Sequence, residues 1–391
     1  MPLYIKQNNQ MVKVSDGIAL TDLEDKTVAL DMSNGDQVVN ATTGKVMSSV
    51  TIEKPSTMVA SNIKNGVDIG GVVGSYSAPD YLALRISGNT PYTYANNEIT
   101  TINQSAFRED HNITSFSSTS VTKIKAFAFS YCTSLTTINC SNLAYDTKSE
   151  TSDAVEIFSN CTSLTSISFP LMKVAPQGMC YKCTNLASVY LPELTTTNGG
   201  QTFYMCTSLQ TISLSELTTL NGSEFYGCTQ LSSVSLPKIR ATSTYMFTNC
   251  TSLTSISFTD AYKGAGNATN QAIGSACFQG CTNLASVSGF QYILQGTVGS
   301  YSFKDCSSLV TINLGNVTRV ELYAFQNCTS LSDITLTKSD NICALLNVNS
   351  FQGVGHSVTI HVPSSLITTY QTASNWSTLY NNGDVTFVAI V

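Results

Sequence analysis

Cys180-Tyr-Lys-Cys183 sets two thiols three positions apart, the spacing of half a zinc site, and Cys277 with Cys281 offers a looser second pair. Two such pairs brought together would suffice for a tetrahedral metal, and Cys-x-x-Cys is also the spacing of a redox dithiol. Both readings compete with a plainer one. Nine of the thirteen cysteines (Cys132, Cys161, Cys183, Cys206, Cys228, Cys250, Cys281, Cys306 and Cys328) follow one another at intervals of 29, 22, 23, 22, 22, 31, 25 and 22 residues. Cys183 and Cys281 belong to that series, so each occupies a repeat position before it occupies a ligand position. Buried cysteine behaves as a small hydrophobe, and a column of it needs neither metal nor disulfide. No metal or other cofactor is expected.

Catalytic side chains are equally sparse. The three histidines, His111, His356 and His361, fall near the two ends of the periodic region. Gly-rich phosphate loops, clustered carboxylate pairs and a His-Glu-x-x-His segment do not occur in the sequence. The chain therefore reads as a non-enzyme. Its 391 residues carry 19 Lys and Arg against 25 Asp and Glu, a net charge of −6, which disfavours nucleic acid as a partner. Apolar content of 42% is enough for a sizeable core, no apolar run reaches the roughly 18 residues of a membrane span, and the first ten residues are too polar for a secretory leader. Charge is scarce, at 11%, and Ser with Thr make up about a quarter of the chain.

The elements that position these residues repeat with the cysteines. The unit reads Phe-x-x-Cys-x-x-Leu-x-x-Ile/Val-x-Leu/Phe, as in Phe158-Ser-Asn-Cys161-Thr-Ser-Leu164-Thr-Ser-Ile167-Ser-Phe169 and Phe225-Tyr-Gly-Cys228-Thr-Gln-Leu231-Ser-Ser-Val234-Ser-Leu236. Nine full units begin at Phe129, Phe158, Cys180, Phe203, Phe225, Phe247, Phe278, Phe303 and Phe325, with degenerate units at Phe107 and Phe351. The Ile-x-Leu half alternates with period two and predicts a short strand with Ile and Leu inward. The Phe-x-x-Cys-x-x-Leu half has period three and predicts one or two turns of α- or 3₁₀-helix on the opposite side. Parallel stacking of about eleven such coils at about 4.8 Å gives an array roughly 50 Å long, too long for His111 to join the other two histidines in one triad.

This phrase resembles that of the BspA-like leucine-rich repeat proteins, over residues 100–391. The resemblance implies an α/β solenoid, a curved right-handed leucine-rich repeat array with a parallel sheet on its inner side, and a surface or adhesive role. Val362-Pro363-Ser364 through Gln371, followed by Asn375-Trp376, resembles the family's closing segment; from the residues alone it reads as a short helix with the single tryptophan sealing the last coil. Inserts at Ala144–Glu156 and Thr259–Ala276 break the period and are candidates for binding or for contacts between subunits.

Three regions follow: 1–80, 81–362 for the solenoid, and 363–391 as a cap. Residues 1–80 hold 15 of the 44 charged residues and predict strands at Lys26–Leu30, Lys45–Ile52 and Val67–Gly74, a small β-rich module. Thr51–Thr57 and Asn62–Gly74 resemble a short module near the start of bacteriophage virion proteins, where it precedes exposed fibre or tail domains. That resemblance implies attachment to other virion proteins through residues 1–80, assembly in a reducing host cytoplasm, display on the virion surface, and a homo-oligomer such as a trimer.

The candidate binding face consists of the residues flanking each inward Ile or Val: Thr137 and Asn139, Ser166 and Ser168, Ser188 and Tyr190, Thr211 and Ser213, Ser233 and Ser235, Ser255 and Ser257, Ser286 and Ser288, Thr311 and Asn313, Asp333 and Thr335. A nearly uncharged hydroxyl file of this kind suits a host-surface glycan or a flat protein bound by many weak hydrogen bonds. The competing reading is that Ser and Thr merely keep a strand face soluble. For the whole chain, the expectation is a phage virion protein that attaches to a host surface; the alternatives are a bacterial surface adhesin and a structural virion decoration.

Overall fold

The computed structural model describes residues 91–259 and 271–390, together with the backbone of short strands within the first ninety. Two compact units divide the chain, Met1–Thr90 with Asn96–Ile102, and Pro91–Ala95 with Asn103–Val391. In the first, Leu23–Ala29 pairs in parallel with Val46–Glu53, and Asp68–Ile69 pairs antiparallel with Val72–Val73. Side chains of the virion-like stretch lie outside the described residues.

The second unit is a parallel β-solenoid of about twelve coils. Each Ile-x-Leu step forms a strand, and neighbouring coils pair in register: Ser166 with Ser188, Ile167 with Val189, Ser168 with Tyr190; Thr311 with Asp333, Ile312 with Ile334, Asn313 with Thr335. Two further parallel ladders run beside these strands: Val174–Ala175 pairs with Thr196–Thr197, and Thr297–Val298 pairs with Arg319–Val320, which pairs in turn with Ala344–Leu345.

The Phe-x-x-Cys-x-x-Leu half departs from expectation. It is not helical. Two successive turns close it, with the Cys228 amide donating to the Phe225 carbonyl at 3.1 Å and the Leu231 amide to the Cys228 carbonyl at 3.0 Å. Between these turns the residue preceding each cysteine takes a left-handed conformation, as at Tyr131 (φ 63°), Asn160 (59°), Asn249 (60°), Asp305 (62°) and Asn327 (61°). A left-handed residue interrupts a helix, and it turns the intervening N–H groups outward along the array. There they bond the next coil: Phe225 N to Met246 O at 2.9 Å, Gly227 N to Thr248 O at 2.8 Å. A backbone ladder along the stack thus replaces the bonds a helix would make within itself.

Inside, Phe rings stack coil on coil. Phe203, Phe225, Phe247, Phe278, Phe303 and Phe325 follow one another at centroid separations of 5.3 to 5.7 Å, most within 8° of parallel. Leu and Ile/Val columns fill the rest of the core, most of them fully buried. Among the described residues α-helix appears only at the close, at Ile367–Thr372 and Trp376–Asn382, as the closing segment predicted, with short 3₁₀ turns at Phe290–Tyr292, Val348–Phe351 and Ser364–Leu366. That segment also adds a last strand, Val385–Ala389, parallel to Val358–Val362.

Candidate functional site

All eighteen residues of the predicted face lie on the strands, on the side away from the core. Thr211, Ser213, Ser233, Ser235, Ser255, Ser257, Ser286 and Ser288 are exposed, while the Ile or Val between each pair faces inward. Tyr190 is the most exposed tyrosine of the described chain, at 57%. Asn313, Asp333 and Thr335, toward the C-terminal end, are half-buried. Within the described residues the side chains of Ser166, Ser168, Ser188, Thr211, Ser213, Ser233 and Ser235 make no hydrogen bond, so their hydroxyls are available to an incoming partner.

Other hydroxyls are already engaged. Thr136 Oγ1 donates to the Thr114 carbonyl at 2.9 Å, Thr207 to Thr184 at 3.1 Å, Thr218 to Thr195 at 3.1 Å, Thr251 to Thr229 at 3.2 Å and Thr318 to Gly296 at 3.0 Å. Each bond joins one coil to the coil before it. The Ser/Thr richness therefore has two origins, an axial hydrogen-bond system and an open face.

The one acid–base pair on that face stands at its C-terminal end. His361 Nε2 lies 2.9 Å from Asp333 Oδ1, a contact between neighbouring coils. Ser332 Oγ donates to Asp333 at 2.6 Å, and Ser332 and His361 together hold the Asp333 carboxyl below its usual range. His111 Nδ1 meets Thr133 Oγ1 at 2.9 Å, at the other end of the array. The sequence gives no sign of this pairing, because a spacing of 28 residues carries no local signal.

Every cysteine is a buried free thiol, including Cys180, Cys183, Cys277 and Cys281, and no group of three or more metal-ligating side chains gathers among the described residues. The nine repeat cysteines do more than fill space. Each donates its S–H across the stack to the carbonyl at the Phe position of the preceding coil: Cys161 to Phe129 at 3.0 Å, Cys206 to Cys180 at 3.2 Å, Cys228 to Phe203 at 3.1 Å, Cys328 to Phe303 at 3.0 Å. That carbonyl also accepts its own coil's Cys N–H, so the thiol fills the second lone pair of a buried acceptor. Burial pushes Cys228, Cys277 and Cys343 up to about 12. A thiol that is both buried and protonated does not alkylate. Iodoacetamide at pH 8 is expected to label none of the thirteen cysteines in the native protein and all thirteen after denaturation without reductant, counted by intact mass. Rapid native labelling of any repeat cysteine would contradict the packing described.

Among the described residues one carboxyl group is fully buried. Glu224 sits where the coil carrying Gly199-Gly200 meets the coil carrying Asn221-Gly222. Its carboxyl accepts the Thr202 amide at 2.8 Å and is bonded to the Thr197 hydroxyl. Gly200 has φ 85°, and a Cβ there would collide with the Asn221 carbonyl, so only glycine allows this approach. Burial raises the Glu224 carboxyl above its usual range. A raised acid stabilises the fold most below its unfolded pKa, and that contribution is lost as pH rises through the folded value. Glu224→Gln, which mimics the protonated acid, is expected to raise the unfolding free energy at pH 7.5 and to leave it nearly unchanged at pH 4. Urea titrations at both pH values check this; equal effects at the two would refute it.

Of the two inserts, the first is packed. Tyr145 is fully buried and its hydroxyl pairs with the backbone of Ile124, while Glu150 accepts Lys123 Nζ at 2.7 Å and the Asp146 amide at 2.6 Å. Those two bonds, the lysine first, lower the Glu150 carboxyl to about 2. Most of the second insert, residues 260–270, lies outside the described residues. Tyr181, Tyr204 and Tyr226 stack at 4.8 and 4.6 Å and so serve contacts between coils.

A parallel solenoid with a Phe/Cys/Leu/Ile interior and one open strand face defines the chain as a leucine-rich repeat protein. The family model for the BspA type leucine-rich repeat region, in six copies, matches residues 89–197, 151–269 and 265–379, about three quarters of the chain. The chain belongs to that family. Among solved structures it is similar to a leucine-rich cell surface protein from Faecalibacterium prausnitzii (18% identity, 77% of this chain and 83% of that one, TM-score 0.41). A leucine-rich repeat protein from Bacteroides ovatus is 20% identical over 77% of this chain and 92% of its own, with a TM-score of 0.36. The pneumococcal vaccine antigen PcpA is 10% identical over 78% and 90%, with a TM-score of 0.39. Comparison with curated protein sequences finds no match.

Proposed function

We propose that this chain is a non-enzymatic recognition protein whose strand face binds a glycan or a flat protein on a cell surface. The observation that carries this reading is the file of unengaged hydroxyls from Ser166 to Ser235, with Tyr190 beside it as the aromatic contact. Strands spaced at about 4.8 Å repeat the same donors and acceptors, so a repetitive ligand meets a repetitive site and weak bonds multiply. Residues 1–80 attach the solenoid to a phage particle in this reading, supported by the likeness of Thr51–Gly74 to virion modules. The surface-adhesin reading uses the same face with a different anchor, and tail or capsid genes beside this one separate the two.

The test is adsorption of the full-length protein to candidate host cells and to an array of bacterial surface glycans. Saturable binding is expected, weakened at least tenfold by Tyr190→Ala or by Ser213→Lys with Ser235→Lys. Binding that ignores all three substitutions would remove this face from the function.

A further inference from the structure

The last strand, Val385–Ala389, is the end of its sheet. It pairs with Val358–Val362 on one side only, in the parallel register Val358 with Val385, Ile360 with Phe387 and Val362 with Ala389. The bonds that flank this register, Val358 N to Asp384 O and Ile390 N to Val362 O, both 2.9 Å, set its phase. In a parallel ladder of that phase, Thr386 and Val388 direct their backbone groups toward Val358–Val362. Val385, Phe387 and Ala389 therefore direct theirs to the free edge, and none of the three has a hydrogen-bond partner there among the described residues.

An open edge is a template for another strand, and proteins commonly blunt it with lysine, proline or a bulge. This strand carries none of these. Its side chains are Val-Thr-Phe-Val-Ala, uncharged throughout, with Val388 exposed at 43% and Ile390 beside it at 38%. The register also has a centre. The three outward residues are symmetric about Phe387, so an antiparallel copy of the same strand pairs Phe387 with Phe387 and Val385 with Ala389. Each outward residue would then exchange both backbone bonds with its counterpart, six bonds in all. On the exposed face Thr386 falls opposite Val388, a β-branched pair at the close, non-bonded positions. The nearest charge, Asp384, ends up at opposite ends of the ribbon in the two copies, so no like charges meet.

We propose that two copies of this chain join edge to edge through Val385–Ala389, forming an isologous dimer with a sheet continuous across the two-fold axis. Such a dimer pairs two strand faces and doubles the valency of whatever they bind.

Sedimentation of the full-length protein at tens of micromolar is the test. A dimer is expected. Ala389→Pro removes one outward N–H and no intramolecular bond, because proline is tolerated where the strand N–H faces solvent. It should therefore weaken dimerisation at least tenfold while leaving the thermal unfolding midpoint within a few degrees. Thr386→Cys with Val388→Cys should form an intermolecular disulfide under mild oxidation, and neither single variant should. A wild-type monomer at this concentration, or any oligomer that persists in Ala389→Pro without the cross-link, would overturn the proposal.

Discussion

Phe225→Ala is expected to cost about 3–5 kcal/mol of unfolding free energy. The ring is fully buried and stacks on Phe203 at 5.7 Å and on Phe247 at 5.4 Å, both within 7° of parallel. Removing it leaves a cavity between two rings that the backbone holds apart. Phe225 N is bonded to Met246 O and Gly227 N to Thr248 O, so the coils cannot collapse together to fill the void. In a stack where each coil contacts only its neighbours, weakening one interface in the middle also uncouples the halves. Urea denaturation followed by tyrosine fluorescence should show a lower midpoint and a broadened transition. A loss below about 1 kcal/mol would mean that the ring file is loosely packed.

Trp376→Ala should be comparably large, about 3–5 kcal/mol, but with its effect confined to one end. Trp376 is fully buried, and its Nε1–H donates to the Cys343 carbonyl at 2.7 Å. Beside it the Tyr370 hydroxyl accepts the Cys343 amide at 2.7 Å, and Asn375 Nδ2 donates to the Leu345 carbonyl at 2.8 Å. Together these three side chains terminate the ladder that, among the described residues, ends at Ala344–Leu345. Without the indole, the Cys343 carbonyl is left buried and unpaired, and Phe351 and Phe387 lose a ring contact. Hydrogen exchange should show protection lost first at Cys343–Leu345 and Val358–Val362, with coils before Phe278 unaffected. Trp376→Phe, which keeps most of the packing and loses the hydrogen bond, should cost about 1–2 kcal/mol. Uniform loss of protection along the array would show that the closing segment is not a local cap.

The two variants also show why the repeat was easy to read and its geometry was not. Period-two alternation in Thr-Ile-Ser or Ser-Val-Ser names a strand because a strand needs only its own residues to present one face inward. The eighteen outward positions followed from that, and the structure has all of them on the strand face. The turn half was misread because period three is shared by a 3₁₀-helix and by two chained turns. Asn, Gly and Asp before so many of the cysteines (Asn160, Gly227, Asn249, Gly280, Asp305, Asn327) are the signal that separates the two, since these residues accept a left-handed backbone most readily. Cysteine was read as a small hydrophobe, and the bond from its S–H to the carbonyl of the preceding coil became visible only with that coil in place.

By itself the sequence determined the repeat, its register, the inward columns and the scarcity of charge, because each is a consequence of one coil's own periodicity. Tertiary structure decided what the polar atoms do. Whether a threonine hydroxyl is spent on the coil before it or left facing solvent, whether Glu224 is buried, and which carbonyl a thiol caps all depend on neighbours 21 to 34 residues away, stacked at one strand spacing. The hydrogen bond is short-ranged and directional, so these pairings exist only once the coils are stacked.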